Sequence, residues 1–318
     1  MKKALLILSV LVAVAACSRG AGRPSVQART FGQVSVPAMV TDPEARMQYV
    51  AEHFWDAFFE GTGPTDTGFV LGVPVAEFEK AFSSYAALML EVPLDVAHKS
   101  AQKMFDSLES AQEADTSNHC YPVITQMISK YLYDPNSPLR DEDVYLPFAR
   151  RMASSRFTSG DARPAYAFEA KMCALNPCGT LAPDFGFIDD KGRSRHLSDI
   201  SADWTLLFFS NPGCQACKDI EEALKAPVYM ESAIGKGHIA VVSIYIDSEI
   251  DKWKAYAPNY PDSWVKGYDP SGVIRDDTLY EVRAIPSLYL LDSDRKIVLK
   301  DTPVERALRF IENNQKRK

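Results

Sequence analysis

At CALNPCGTLAPDF, residues 173–185, the apolar rhythm of the chain changes, and that change limits the folds open to it. Upstream, from about Asp42 to about Ala174, apolar residues recur at helical spacing. In DPEARMQYVAEHFWDAFFEG, Met47, Val50, Ala51, Phe54 and Phe58 fall on one stripe. Thr41-Asp42-Pro43 opens that segment with a polar cap and a proline at the first helical position. Similar stripes run through VAEFEKAFSSYAALMLEV, through PLDVAHKSAQKMFDSLESA and from Tyr121 to Tyr133. DPNSPLRDED then breaks the helix with two prolines and supplies acids for the start of the next one, near Val144 to Met152. No strand-like alternation of any length interrupts this stretch. Residues 39–175 are therefore expected to form an all-α helical domain whose aromatic stripes are core.

Pro177 and Gly179 end the helical regime. DFGFIDDKGRSRHL reads as a hairpin turning at Asp190-Lys191-Gly192, and WTLLFFS as a short buried strand. A helix follows through KDIEEALKA, then a second buried strand, HIAVVSIYI, and a helix at EIDKWKAYA. SLYLLD and KIVLK flank a turn at Ser293-Asp294, and PVERALRFIENN closes with an amphipathic helix. Strand, helix, strand, helix, two antiparallel strands and a helix make a small α/β domain over residues 179–318.

Chemistry concentrates where WTLLFFS ends. Cys214 and Cys217 stand in Cys-x-x-Cys spacing where a buried strand gives way to a helix. A helix N-terminus offers free N–H groups and the positive end of a dipole, both of which stabilise a thiolate. Cys217 lies about one turn on, within disulfide reach. Cys214 is expected to be the exposed nucleophile and Cys217 the shielded thiol that resolves a mixed disulfide, with Lys218 adding weak electrostatic support.

These residues, with Pro286 in RAIPSLYLLD, resemble the thioredoxin-like pattern, and the TlpA-related periplasmic lipoproteins within it, over roughly Gly179 to Lys318. The resemblance implies a thioredoxin-like α/β domain, thiol–disulfide exchange without cofactor or metal, and a cis proline at 286 beside the cysteine pair, where neighbouring backbone docks substrate peptide. The helical half, with YLYDPNSPLRDEDVYLPFARRM, resembles an uncharacterised domain that precedes such domains in Gram-negative lipoproteins. Three positions depart from the pattern. Gly213 replaces the tryptophan that many relatives place before the first cysteine, and WTLLFFS lacks the buried acid of thioredoxin. Ile220 stands where the TlpA-like branch often has glutamate, with Asp219 and Glu221 expected to face elsewhere on the helix. No histidine lies between the cysteines, so a reducing or intermediate poise is expected rather than a strongly oxidising one.

The chain begins MKKALLILSVLVAVAAC, two lysines and an apolar run too short for a permanent membrane span. Val14-Ala15-Ala16-Cys17 resembles the bacterial lipobox. That implies a signal peptide over residues 1–16, lipidation of Cys17 and a linker over residues 17–38. The linker lacks the acidic run of surface-directed lipoproteins, so the expected location is the cell envelope, lipid-anchored and facing the periplasm. Five cysteines then remain for an oxidising compartment, an odd number. Cys173 and Cys178 are read as a local bridge or two buried thiols. A zinc site joining them to Cys214 and Cys217 is the metal alternative. A net charge of −7 without a basic, aromatic-interleaved patch argues against nucleic acid. The expected partners are protein substrates bearing disulfides or thiols, a membrane-side electron donor, and further copies of the chain through the helical half. The alternative is a non-catalytic binding lipoprotein on a thioredoxin fold.

Overall fold

The computed structural model describes residues 27–64 and 66–315. The expected signal peptide and Cys17 lie outside the described residues. Helix α1 (Pro43–His53) starts as its sequence predicts. Asp42 accepts a hydrogen bond from the Ala45 N–H at 2.8 Å, and Pro43 occupies the first turn. The expected single stripe does not continue, because Phe54 and Trp55 leave the helix before α2 (Asp56–Phe59). Breaking there lets the adjacent rings of Phe54 and Trp55 both pack against Tyr85, while Met47 stays 39% exposed.

A two-residue hairpin, β1 (Phe69–Val70) and β2 (Val73–Pro74), interrupts the otherwise helical half. Helices α3 (Val75–Met89), α4 (Leu94–Ala114), α5 (Cys120–Leu132), α6 (Glu142–Ser154) and α7 (Arg163–Cys173) follow. They bury Trp55, Phe58, Phe78, Phe82, Phe105 and Phe148 in one core. Order begins earlier than the boundary expected at residue 39. The Arg29 guanidinium donates to the carbonyls of Ala57, Phe58 and Leu71, and Phe31 stacks on Phe58.

The second half is a sheet of seven strands. They are β3 (Gly186–Asp189), β4 (Ser194–His196), β5 (Trp204–Phe209), β6 (Ile239–Tyr245), β7 (Val265–Tyr268), β8 (Ser287–Asp292) and β9 (Ile297–Leu299), in the spatial order β4-β3-β7-β6-β5-β8-β9. Strand β5 runs parallel to β6 and antiparallel to β8. Its side chains alternate between two cores, Leu206 and Phe208 into one, Leu207 and Phe209 into the other. Burial on both faces explains its unbroken apolar sequence. Helices α8 (Gln215–Lys225), α9 (Val228–Gly235), α10 (Ile250–Tyr256) and α11 (Val304–Gln315) complete the domain. Strand β7 and helix α9 go beyond the sequence expectation. Both are short, and β7 carries Gly267, where a Cβ would come within 2.4 Å of the Phe187 ring.

A buried ionic network joins the halves. Glu142 at the start of α6 meets Lys300 Nζ at 2.8 Å and Arg283 Nε at 2.9 Å. Arg283 also bonds Asp301 at 3.0 Å and lies 4.0 Å from the Tyr133 ring centroid. Lys300 donates to the carbonyls of Cys173 and Leu175, and Arg306 pairs with Asp141 at 2.6 Å. Burial pushes the Glu142 carboxyl up, against the pull of Lys300. Glu142 and Asp301 hold Arg283 charged against its own burial.

Candidate active site

Strand β5, paired on both sides, delivers the chain to its carboxyl end, where Ser210 fastens the exit. Its hydroxyl lies 2.9 Å from both Ser243 Oγ and Tyr260 OH. Gly213 then turns the backbone at φ +75°, a conformation that suits glycine. Cys214 caps α8. The Cys217 N–H donates to Cys214 Sγ at 3.1 Å, so a free amide of the helix's first turn points at that sulfur. Cys214 is half-buried, whereas Cys217 is only 4% exposed. Burial, then the neighbouring Cys214 sulfur, push the Cys217 thiol well up. Both cysteines are free thiols in this structure.

Two clefts flank the motif. One, of about 440 Å³, is lined by Cys214, Lys218, Glu221, Lys225 and Tyr256. The other, of about 530 Å³, lies where α8 faces Pro286, and the Ile285–Pro286 peptide is cis, as expected. Ala216 and Ile220 line this second groove along with Ile285 and Pro286. Pro286 thus shares this groove with Ala216, the residue before Cys217.

The expectation that Glu221 faces elsewhere does not hold. Glu221 is 5% exposed, accepts from Lys225 Nζ at 2.9 Å and lines the Cys214 cleft. The overlooked signal was spacing: Glu221 follows Cys217 by four residues and Cys214 by seven, which is one helix face. Tyr256 was also missed. Burial raises its phenol first, and the Glu221 carboxylate adds to that. No sequence motif marks this tyrosine, since α10 reaches the cleft only through the fold.

The other cysteines stay apart from the motif. Cys120, Cys173 and Cys178 are unpaired thiols, and burial pushes each one up, Cys120 to about 12. Such thiols carry little thiolate at neutral pH and are poor nucleophiles. Among the described residues no three side chains of histidine, cysteine, aspartate or glutamate converge as metal ligands, so the four-cysteine zinc arrangement is not formed. Among the described residues no helix is long and apolar enough to cross a membrane.

A parallel β5–β6 pair, antiparallel β8 and β9, a cysteine pair at the start of α8 and a cis proline before β8 define a thioredoxin-like domain. A solved thioredoxin-like protein from Bacteroides caccae shares 30% identity, covers 89% of this chain and 98% of its own, and superposes with a TM-score of 0.73. The chain belongs to the thioredoxin-like family. Its amino-terminal part carries a further mark, since a family model described as a domain of unknown function (DUF5106) matches residues 13–167. Over the second half, the carboxy-terminal domain of an uncharacterised Bacteroides fragilis protein is 38% identical, covering 43% of this chain and 98% of that one, with a TM-score of 0.42. The thioredoxin domain of a thiol-disulfide oxidoreductase from Bacteroides vulgatus is 24% identical, covering 42% and 98%, with a TM-score of 0.37. No curated protein matches the chain.

Proposed function

We propose that the protein is a thiol–disulfide oxidoreductase of the cell envelope, held at the membrane by a lipid on Cys17. The observation that carries the reading is the Cys217 N–H directed at a half-buried Cys214 Sγ, with the Cys217 thiol buried beneath it. An amide aimed at sulfur is arranged to hold negative charge, and a reachable thiolate is what attacks a disulfide. Cys214 attacks one sulfur of a client disulfide, whose S–S bond breaks and releases one client thiolate. Cys217 then gives up its proton and attacks Cys214 Sγ, which frees the second client thiolate. The pair ends as a disulfide and the client has gained two electrons. A dithiol donor on the membrane side returns them. Pro286 shapes the groove in which the client segment lies.

Glu221 supports the second step in this reading, because it is a buried carboxyl one helical turn after Cys217 that shares the Cys214 cleft and can take the Cys217 proton through water. The test is Cys217→Ser in the full chain, with envelope extracts resolved on non-reducing gels. Covalent client adducts that vanish with reductant, and also vanish in the Cys214→Ser control, are the expected result. No adducts, together with no reduction of glutathione disulfide by the natural chain, would sink the reading.

A further inference from the structure

The groove beside Pro286 is not built by the thioredoxin-like half alone. Its outer wall is the segment between α5 and α6, from which Pro135, Asn136, Pro138 and Arg140 line the cavity opposite Ala216 and Ile220. This wall is fixed in place. Asp134 Oδ1 accepts from the Asn136 N–H at 2.8 Å, Ser137 Oγ donates to the Tyr131 carbonyl at 2.6 Å, and the Asp141 N–H donates to the Leu132 carbonyl at 2.9 Å. On the far side Arg140 Nε stands 3.5 Å from Asp301, which also accepts from Ser287 and Arg283 on either side of Pro286. One buried network thus sets the width of the groove from both of its walls.

The charges in the groove are unequal. Arg140 is spent on Asp301, whereas the exposed carboxylates of Asp219 and Glu305 face the cavity and pair with no cation among the described residues. Among the described residues, Asp219 accepts from the Gln215 amide alone. Between them the lining is small and apolar, with Ala216, Ala223, Ile285, Pro286 and Val304. The sheet pairing of β8 begins at Ser287, which leaves the backbone of Ala284 and Ile285 outside the ladder and able to pair with an added strand.

We propose that this cross-domain groove selects clients: it holds an extended protein segment that carries lysine or arginine close to its reactive cysteine, with residues 135–140 of the helical half as the selecting wall. Ala216 lies between the two cysteines, so a segment seated in the groove is brought to within one residue of the thiol pair. The inference rests on the thiol chemistry proposed above for its purpose, but the binding step is testable without that chemistry.

The probe is a pair of short fluorescent peptides with serine in place of cysteine, identical except for lysine or glutamate two residues away. Anisotropy titration against the reduced full chain is expected to show about a five- to tenfold preference for the lysine peptide, the scale of two exposed charge pairs, fading with salt. The preference should disappear in the Asp219→Asn, Glu305→Gln double variant. Both peptides should lose binding in Asn136→Trp, whose indole fills the groove from the helical side; circular dichroism melts verify that each variant is folded. Equal affinity for the two peptides, no binding of either, or a preference that survives the double variant overturns the proposal. Unchanged binding in Asn136→Trp removes the helical wall from it. Reduction of glutathione disulfide by the natural chain reports separately on the thiol reading.

Discussion

Glu281 offers a direct measure of how the buried network between the halves responds to protons. It is 5% exposed, and burial first, then the neighbouring Glu142, push its carboxyl up to about 7, against Arg283 and Lys300. In the unfolded chain the group titrates near 4.5. The folded chain therefore holds this proton more tightly than the unfolded one. Below about pH 4.5 the group makes no difference to stability, because both states are protonated. As pH rises towards 7 the unfolded chain ionises first and stability falls. Above that the deficit is constant at about 3 kcal/mol, since each tenfold difference in proton affinity between the two states is worth about 1.4 kcal/mol. Glu281→Gln keeps the shape and removes the titration. The variant should gain about 2 to 3 kcal/mol relative to the natural chain between about pH 5 and pH 8. Urea unfolding followed by tryptophan fluorescence, both proteins reduced, gives that difference at each pH. A difference that stays flat within about 0.5 kcal/mol, or that runs the other way, would refute the reading of Glu281 as a buried carboxyl that holds its proton more tightly in the folded chain.

Three other substitutions probe separate parts of the structure. Arg283→Met leaves Glu142 with Lys300 and Asp301 with Arg140 and Ser287, and should cost about 3 kcal/mol in urea unfolding; a loss under about 1 kcal/mol would show the Arg283 contacts to be idle. Glu221→Gln should slow the release of client from the Cys214 mixed disulfide about tenfold or more, read by rapid acid quench, and an unchanged rate would leave Glu221 as a mere partner of Lys225. Gly267→Ala drives a methyl to 2.4 Å from Phe187 and 2.9 Å from the Ile188 carbonyl. It should cost about 1 to 3 kcal/mol, and an unaltered melting temperature would mean that β3 is not held against β7 as described.

The sequence showed most clearly those elements whose cause is local. The strand before Cys214 and the capping of α1 by Asp42 follow from residues within a few positions of one another, whereas the cis proline at 286 came from the family resemblance. What stayed hidden depends on distant chain. Glu142 reads as an acid suited to a helix start, and it does sit there, yet its carboxylate is committed to Lys300 and Arg283 from the other half. DPNSPLR reads as a helix breaker, which it is, but nothing in its spacing tells that it walls the Pro286 groove. Strand β7 escaped notice because VKGY is short and interrupted by a glycine that only the packing of Phe187 explains. Arg29 and Phe31 looked like tether because their partners lie some 30 to 40 residues away, at Ala57, Phe58 and Leu71.

Strand β5 has no solvent side, so a methylene added to Leu206 or Phe208 presses on one core, and one added to Leu207 or Phe209 on the other. Either push travels along a stiff ribbon that leads, through Ser210 and the turn at Gly213, to Cys214. Attempts to retrain this protein should therefore find their tolerated positions on the rim, at the exposed Asn136, Asp219 and Glu305. Leu206, Leu207, Phe208 and Phe209 should yield to nothing but paired, volume-matched exchanges.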